Sequence, residues 1–228
     1  MPLFLGNAVQ FLNYRLDVYF VNAWQGLQAV GNYTMAVWLT QMLWLLPNAI
    51  GALVLQAAAR AERPELALPE VCRITRLSVL LSAGGGLALA VVAALFVPPV
   101  LGEDFRGAIR PLVLLLPGVV AFTVTILLSA YLNGIRHQHL TTYVACGSLA
   151  VTVAADVLLI PRYGIAGAAI ASSLSYVTSA VVTALVVRRL VPALALRELL
   201  LPRRDDLHEA RRMLVDLGAR FRRAPRAS

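Results

Sequence analysis

PLVLLLPGVVAFTVTILLSAYL, from Pro111 to Leu132, is a run of 22 residues without one charged side chain. At 1.5 Å per residue a helix of this length covers the roughly 30 Å of a bilayer's hydrocarbon core. Proline at 117 does not argue against a helix in lipid, because neighbouring helices satisfy the carbonyl it frees, so Pro117 and likewise Pro47 mark kinks. Working outward, comparable apolar stretches recur on both sides. They predict six spans at about 3–24, 33–58, 76–98, 109–131, 139–160 and 165–187. Turn chemistry separates them: Gly26 to Gly31, Pro98-Pro99 to Gly102, Asn133-Gly134 and Pro161 to Gly164.

Composition agrees with this reading. Hydrophobic residues are 59% of the chain and charged ones 14%, and mean hydropathy is +0.74. Soluble domains are about 45–50% apolar and about 25% charged. The predicted fold is therefore an all-α membrane protein, a bundle of about six transmembrane helices over residues 1–190, followed by a basic tail over 191–228. The net charge of +8 comes from arginine alone, since the chain has no lysine. Those arginines lie between apolar runs and in the tail, which suits anionic lipid headgroups and not a nucleic-acid groove. Arg60, Arg63, Arg73, Arg76, Arg136, Arg188 and Arg189 alternate with the segments holding Arg106, Arg110 and Arg162. By the positive-inside rule the first set is cytoplasmic, and so are both termini. The N-terminus shows no cleavable signal pattern. In the tail, Leu207, Ala210, Leu214, Leu217 and Phe221 recur at helical spacing, predicting an amphipathic helix at about 203–223 on the inner leaflet.

Polar residues inside spans carry the chemistry. Arg15 and Asp17 sit near the middle of the first span, where each costs about 2.5–3.5 kcal/mol on insertion scales. Asn7, Gln10, Asn13, Tyr14 and Asp17 share an arc of roughly 120° at helical spacing, opposite Leu5, Leu12, Leu16 and Phe20. That face must meet protein or an enclosed cavity. It reads either as a substrate-contacting wall, to which Arg15 is added, or as a polar seam locking helix packing. Asp17 and Asp156 are the candidates for ion coupling, although Asp156 also stands within reach of Arg162 at the outer end of the fifth span. Gly164, Gly167, Ala168, Ser172, Ser175 and Ser179 form a small-residue stripe of the kind that lets helices approach closely, with the lining of a path through the bundle as its second reading. Gly84-Gly85-Gly86 reads as close packing or local flexibility. Cys72, in a predicted cytoplasmic loop, and Cys146, in a span, do not form a disulfide pair.

Enzyme chemistry finds little support. His137, His139 and His208 have no metal-ligand partner at helical spacing, no phosphate-binding glycine loop is present, and Glu103-Asp104 reads as a solvated turn. No catalytic residue, metal or cofactor is expected.

Three stretches together resemble a known family. Val30-Gly31-Asn32-Tyr33-Thr34-Met35-Ala36, after a span with Arg15 and Asp17, resembles the first hairpin of a lobe in polysaccharide-exporting flippases. Asn133-Gly134-Ile135-Arg136 before a span resembles the next landmark. Leu159-Ile160-Pro161-Arg162-Tyr163-Gly164-Ile165-Ala166-Gly167-Ala168-Ala169-Ile170-Ala171 resembles the signature near the C-terminal end of Wzx-like O-antigen and lipid-linked oligosaccharide flippases, in the multidrug/oligosaccharidyl-lipid/polysaccharide exporter superfamily. The likeness covers about residues 5–190 and implies the C-terminal six-helix lobe of a two-lobe transporter of the bacterial inner membrane. It implies an undecaprenyl-linked oligosaccharide as substrate, alternating access, membrane lipids and a second six-helix lobe as partners, and no nucleic acid. By position, Arg15 and Asp17 would face the cavity; asparagine is common in the family where Asp156 stands. Two other readings stay open: a multidrug or cation antiporter of the same superfamily, and a non-transporting membrane assembly subunit.

Overall fold

A computed structural model describes residues 16–61 and 64–191. Seven α-helices run through these residues: α1 (Leu16–Gln25), α2 (Leu27–Gln41), α3 (Leu45–Arg60), α4 (Pro64–Leu101), α5 (Ile109–Gly134), α6 (Gln138–Tyr163) and α7 (Ile165–Leu190). Short 3-10 turns at Met42–Trp44 and Glu103–Ala108 join α2 to α3 and α4 to α5. The protein is an all-α membrane bundle. Five helical stretches are long and apolar enough to cross a membrane: Leu27–Arg60, Ala67–Leu101, Glu103–Gly134, Gln138–Tyr163 and Ile165–Leu190. The predicted first span and the predicted tail helix fall wholly or mostly outside the described residues.

The centre of the bundle is α5, which packs on α7, α4, α3 and α2. Its face carries Leu112, Leu115, Val119, Leu127, Leu128 and Leu132, all buried. Pro117 remains helical there. Beside the Val113 acceptor this proline leaves unused, the Leu114 carbonyl accepts a hydrogen bond from Ser173 Oγ at 2.6 Å, so α7 reaches the α5 backbone there. Pro47 acts one turn earlier on its own helix. It has no N–H for the Leu43 carbonyl, and the chain tightens into the 3-10 turn at Met42–Trp44.

Several expected boundaries are corrected. The second span starts at Leu27 and not at 33, because only Gly26 leaves helical geometry (φ 79°) while Gly31 stays inside α2. The expected loop at 59–76 is mostly helix. From Pro64 onward α4 runs 38 residues, about 57 Å, well beyond the hydrocarbon core. Leu68, Val71, Cys72 and Thr75 are spaced for one helical face, and all are buried, the first three in a cluster with Tyr131, Leu132 and Val187. Cys72 is therefore a buried helix residue and not a loop residue, and neither it nor Cys146 is in a disulfide. Pro98 and Pro99 end no helix; α4 continues to Leu101 and turns at Gly102 (φ 96°). Pro161 likewise stays within α6, and the turn falls on Gly164 (φ 58°).

Candidate functional site

The most polar part of the interior lies where α1, α2, α6 and α7 meet. Asp17 lies on α1, and its side chain is buried. The face opposite carries Tyr19, which is exposed, so the acidic residue points into the bundle, as the polar arc predicted for its own position. Three donors meet this carboxylate. Ser172 Oγ of α7 donates to Oδ2 at 3.0 Å, the Tyr33 hydroxyl of α2 donates to the same oxygen, and the Val18 N–H donates to Oδ1 at 2.8 Å. Tyr33 OH also lies 3.1 Å from Ser172 Oγ. One carboxyl thus ties three helices through a closed polar triangle. Tyr33 and Val21 belong to the same apolar cluster as Trp44, Phe122 and Tyr176, whose rings pack at centroid distances of 5.0–5.4 Å. Trp44 Nε1 donates to the Val119 carbonyl at 3.1 Å. In such a dry surround each polar bond is stronger than in water, and each unmade one costs more.

Asp156 of α6 is the second acid. It is completely buried (0% exposed), and neither of its oxygens meets a hydrogen-bond donor. Asp17 lies within Coulombic reach of it. The expected pairing with Arg162 does not occur: Arg162 is exposed near the end of α6, whereas Asp156 faces inward. Six residues apart on a helix are about 120° apart around the axis, so the two side chains leave on different faces. Neither acid is hydrogen-bonded or ion-paired to an arginine among the described residues.

Asp156 shares its helical face with Thr152 and Ser148, both buried. Across the contact, α7 presents Ser175, which bonds Ser148 Oγ and Thr152 Oγ1, each at 2.7 Å. The small-residue stripe does bring α6 and α7 together. A Cβ at Gly167 would run into the Leu159 backbone, and Ala168 is fully buried. Gly164 takes a positive φ that glycine adopts without strain, and the Gln25 amide lies against it, with Oε1 2.9 Å from where a Cβ would be. Ser172, expected as a packing residue, also bonds Asp17. In α4, Gly85 and Gly86 lie against Leu43, which is close packing.

Of the sequence-derived site, Asn7, Gln10, Asn13, Tyr14 and Arg15 lie outside the described residues. Asp17 and Asp156, 139 positions apart, are both buried and within Coulombic reach of each other, with no direct bond between them. Tyr33, Ser148 and Thr152 were not singled out as site residues, and Ser175 only as part of the small-residue stripe. The i, i+4, i+8 spacing of Ser148, Thr152 and Asp156 was the available signal for two of them.

No known family profile matches the chain, and no curated protein matches it. Solved structures do. It is similar to a multidrug resistance MATE family transporter of the MOP superfamily in an outward-facing conformation, with 21% identity and a TM-score of 0.64, over 92% of this chain and 48% of that one. It is also similar to a MOP superfamily transporter from Pyrococcus furiosus whose binding pocket has reverse polarity (23%, TM-score 0.64, 92% and 48%). A third likeness is to a MATE in the bent conformation (21%, TM-score 0.60, 92% and 49%). The chain spans about half the length of these proteins, and the likeness is one of fold.

Proposed function

We propose that this chain is one lobe of a cation- or proton-coupled membrane exporter, with Asp17 and Asp156 as the site that takes up and releases the coupling ion. The observation that supports this is the second carboxyl, which is fully buried, without a donor, and near another acid. A buried carboxylate without partners costs several kcal/mol, so the site rests easily only when it holds a proton or a cation. Once that ion leaves, the charged pair favours water, and α1, α6 and α7 must part to admit it. A lobe with two such packings has the differential ion affinity that alternating access requires.

As cargo we propose a lipid-linked oligosaccharide of the undecaprenyl class, carried across the bacterial inner membrane with both termini in the cytoplasm. The motif from Leu159 to Ala171 and the arginine-only positive charge support it. A cationic drug is the second reading. Two buried acids favour it, and so does the fold likeness to a multidrug resistance transporter. Deleting the gene separates these cargoes: lipid-linked oligosaccharide accumulates in one case, and drug sensitivity rises in the other.

The coupling role is tested in the host cell with Asp17→Asn and Asp156→Asn. Each should lower ion-driven transport by about tenfold or more, the size of a coupling free energy of about 1–3 kcal/mol. Asp104→Asn, in the exposed turn after α4, should leave it unchanged. Unimpaired transport in Asp156→Asn, with normal protein level, would rule the site out.

A further inference from the structure

We propose that the hydroxyl seam between α6 and α7 is the route by which the coupling ion passes between Asp156 and the arginine-bearing end of the bundle. This rests on the coupling role assigned above to the two carboxyls. On α6 the seam is Asp156, Thr152 and Ser148. On α7 one helical side carries Ser172, Ser175, Ser179 and Thr183, of which Ser175 bonds across to α6 and Ser172 to Asp17. All seven are at most 2% exposed. From Asp156 to Ser148 is eight residues, about 12 Å along the axis, and from Ser172 to Thr183 is about 16 Å. Both rows run from the carboxyls toward the end where Arg136 turns into α6 and Arg188-Arg189 close α7.

Close helix packing alone does not call for this composition. Alanine and glycine would let α6 and α7 approach equally well, and each buried hydroxyl adds a polar group that needs a partner. The seam meets that need with bonds that are easily exchanged. Ser179 Oγ and Thr183 Oγ1 donate back to the carbonyls of Ser175 and Ser179, at 3.0 and 2.7 Å. Thr152 Oγ1 divides its contacts between the Ser148 carbonyl and Ser175 Oγ, and Ser175 Oγ also reaches the Ser148 carbonyl at 3.0 Å. A hydroxyl is both donor and acceptor, so it can turn from such a carbonyl to a water or a small cation between the helices. At one end the row meets Asp156, the buried acid that none of these hydroxyls satisfies. At the other, the next residue of each face is apolar and buried, Val144 on α6 and Val187 on α7. The arrangement is a polar track that ends, toward the arginines, at buried Val144 on α6, while Val187 of α7 packs with Tyr131 and Leu132 of α5; it opens when α6 and α7 separate there.

The test is aqueous access. In the full chain carrying Cys72→Ala and Cys146→Ala, single Ser148→Cys and Ser179→Cys variants are exposed, in oriented membrane vesicles, to a small cationic methanethiosulfonate reagent from the arginine-rich face. Thiolates need water to form and react. Both variants should react about tenfold or more faster than Leu127→Cys, which is buried in α5 away from the seam. Rates equal to those of Leu127→Cys, or reaction from the opposite face only, overturn the route. Should the cysteine variants not fold, Thr152→Val serves instead. It should slow ion-driven transport by about tenfold, whereas Thr178→Val, which removes an exposed hydroxyl bonded to the Leu174 carbonyl of the same helix, should not; equal behaviour of the two overturns the route as well. Labelling needs no transport. A silent seam beside an inactive Asp156→Asn therefore removes the route alone, and an active Asp156→Asn removes the coupling site beneath it.

Discussion

Asp156 is a residue that the fold would be better off without. Replacing it with leucine, of similar length and with nothing to satisfy, should leave the unfolding midpoint in detergent equal to or above that of the parent protein, because buried charged groups are often matched or bettered by apolar ones of like volume. A marked fall in the midpoint would mean that the carboxyl holds the structure together, and the functional reading of it would lose its basis. Tyr33 should behave in the opposite way. Its hydroxyl bonds both Asp17 and Ser172, so Tyr33→Phe should cost about 1 kcal/mol, within the range measured for interhelical bonds in membranes. Chemical denaturation in mixed micelles measures it. At this scale the sequence was half legible. Asp17 could be read, because an acid on the polar arc of an apolar helix has one sensible direction to point. Asp156 could be recognised as out of place, but its nearest charge along the chain, Arg162, was the wrong partner. Its true neighbour, Asp17, is brought to it only by tertiary packing.

At the scale of elements, the periodic apolar runs were legible and the connections were less so. The clearest miss is the start of α4. Arg60, Arg63, Arg73 and Arg76 made 59–76 read as a loop. Yet Leu68, Val71, Cys72 and Thr75 already had the i, i+3, i+4, i+7 spacing of a helical face. Pro64 falls at the helix start, where its missing N–H costs nothing. Pro98 and Pro99 misled at the other end. Glycines show how uneven the helix contacts are. At Gly118 of α5 an added Cβ would land on the Ser173 backbone of α7, while at Gly147 of α6 it would meet nothing within 4 Å. Gly118→Ala should therefore push α5 from α7 and cost about 1–3 kcal/mol, the usual penalty for overpacking. Gly147→Ala should be neutral or add up to about 1 kcal/mol from helix propensity. Thermal melts of the pair decide this, and equal effects would show that α5 and α7 are not held so closely.

For the whole molecule, the question is what one bundle can do. Its fold matches about half of each two-fold longer transporter it resembles. Its burial is lopsided, with α5 enclosed on most sides and α4 showing Leu87, Val91, Leu95 and Phe96 outward. In transporters built from repeated lobes the cargo site lies near the bilayer midplane, at the interface between lobes. On the proposed function, one lobe would supply a single wall of that site, together with its own internal ion site. Cargo bound against a single wall would remain open to lipid along its length, and no rocking of one rigid bundle could close the far side. The chain reconstituted alone in liposomes should therefore bind its coupling ion but move no cargo, and adding a partner lobe should restore movement. Co-expression with a candidate second lobe, followed by co-purification and a flipping or efflux assay, makes the comparison. Vigorous cargo movement by the lone, monomeric chain would show that this bundle encloses a complete path by itself, and the half-transporter reading would have to be given up.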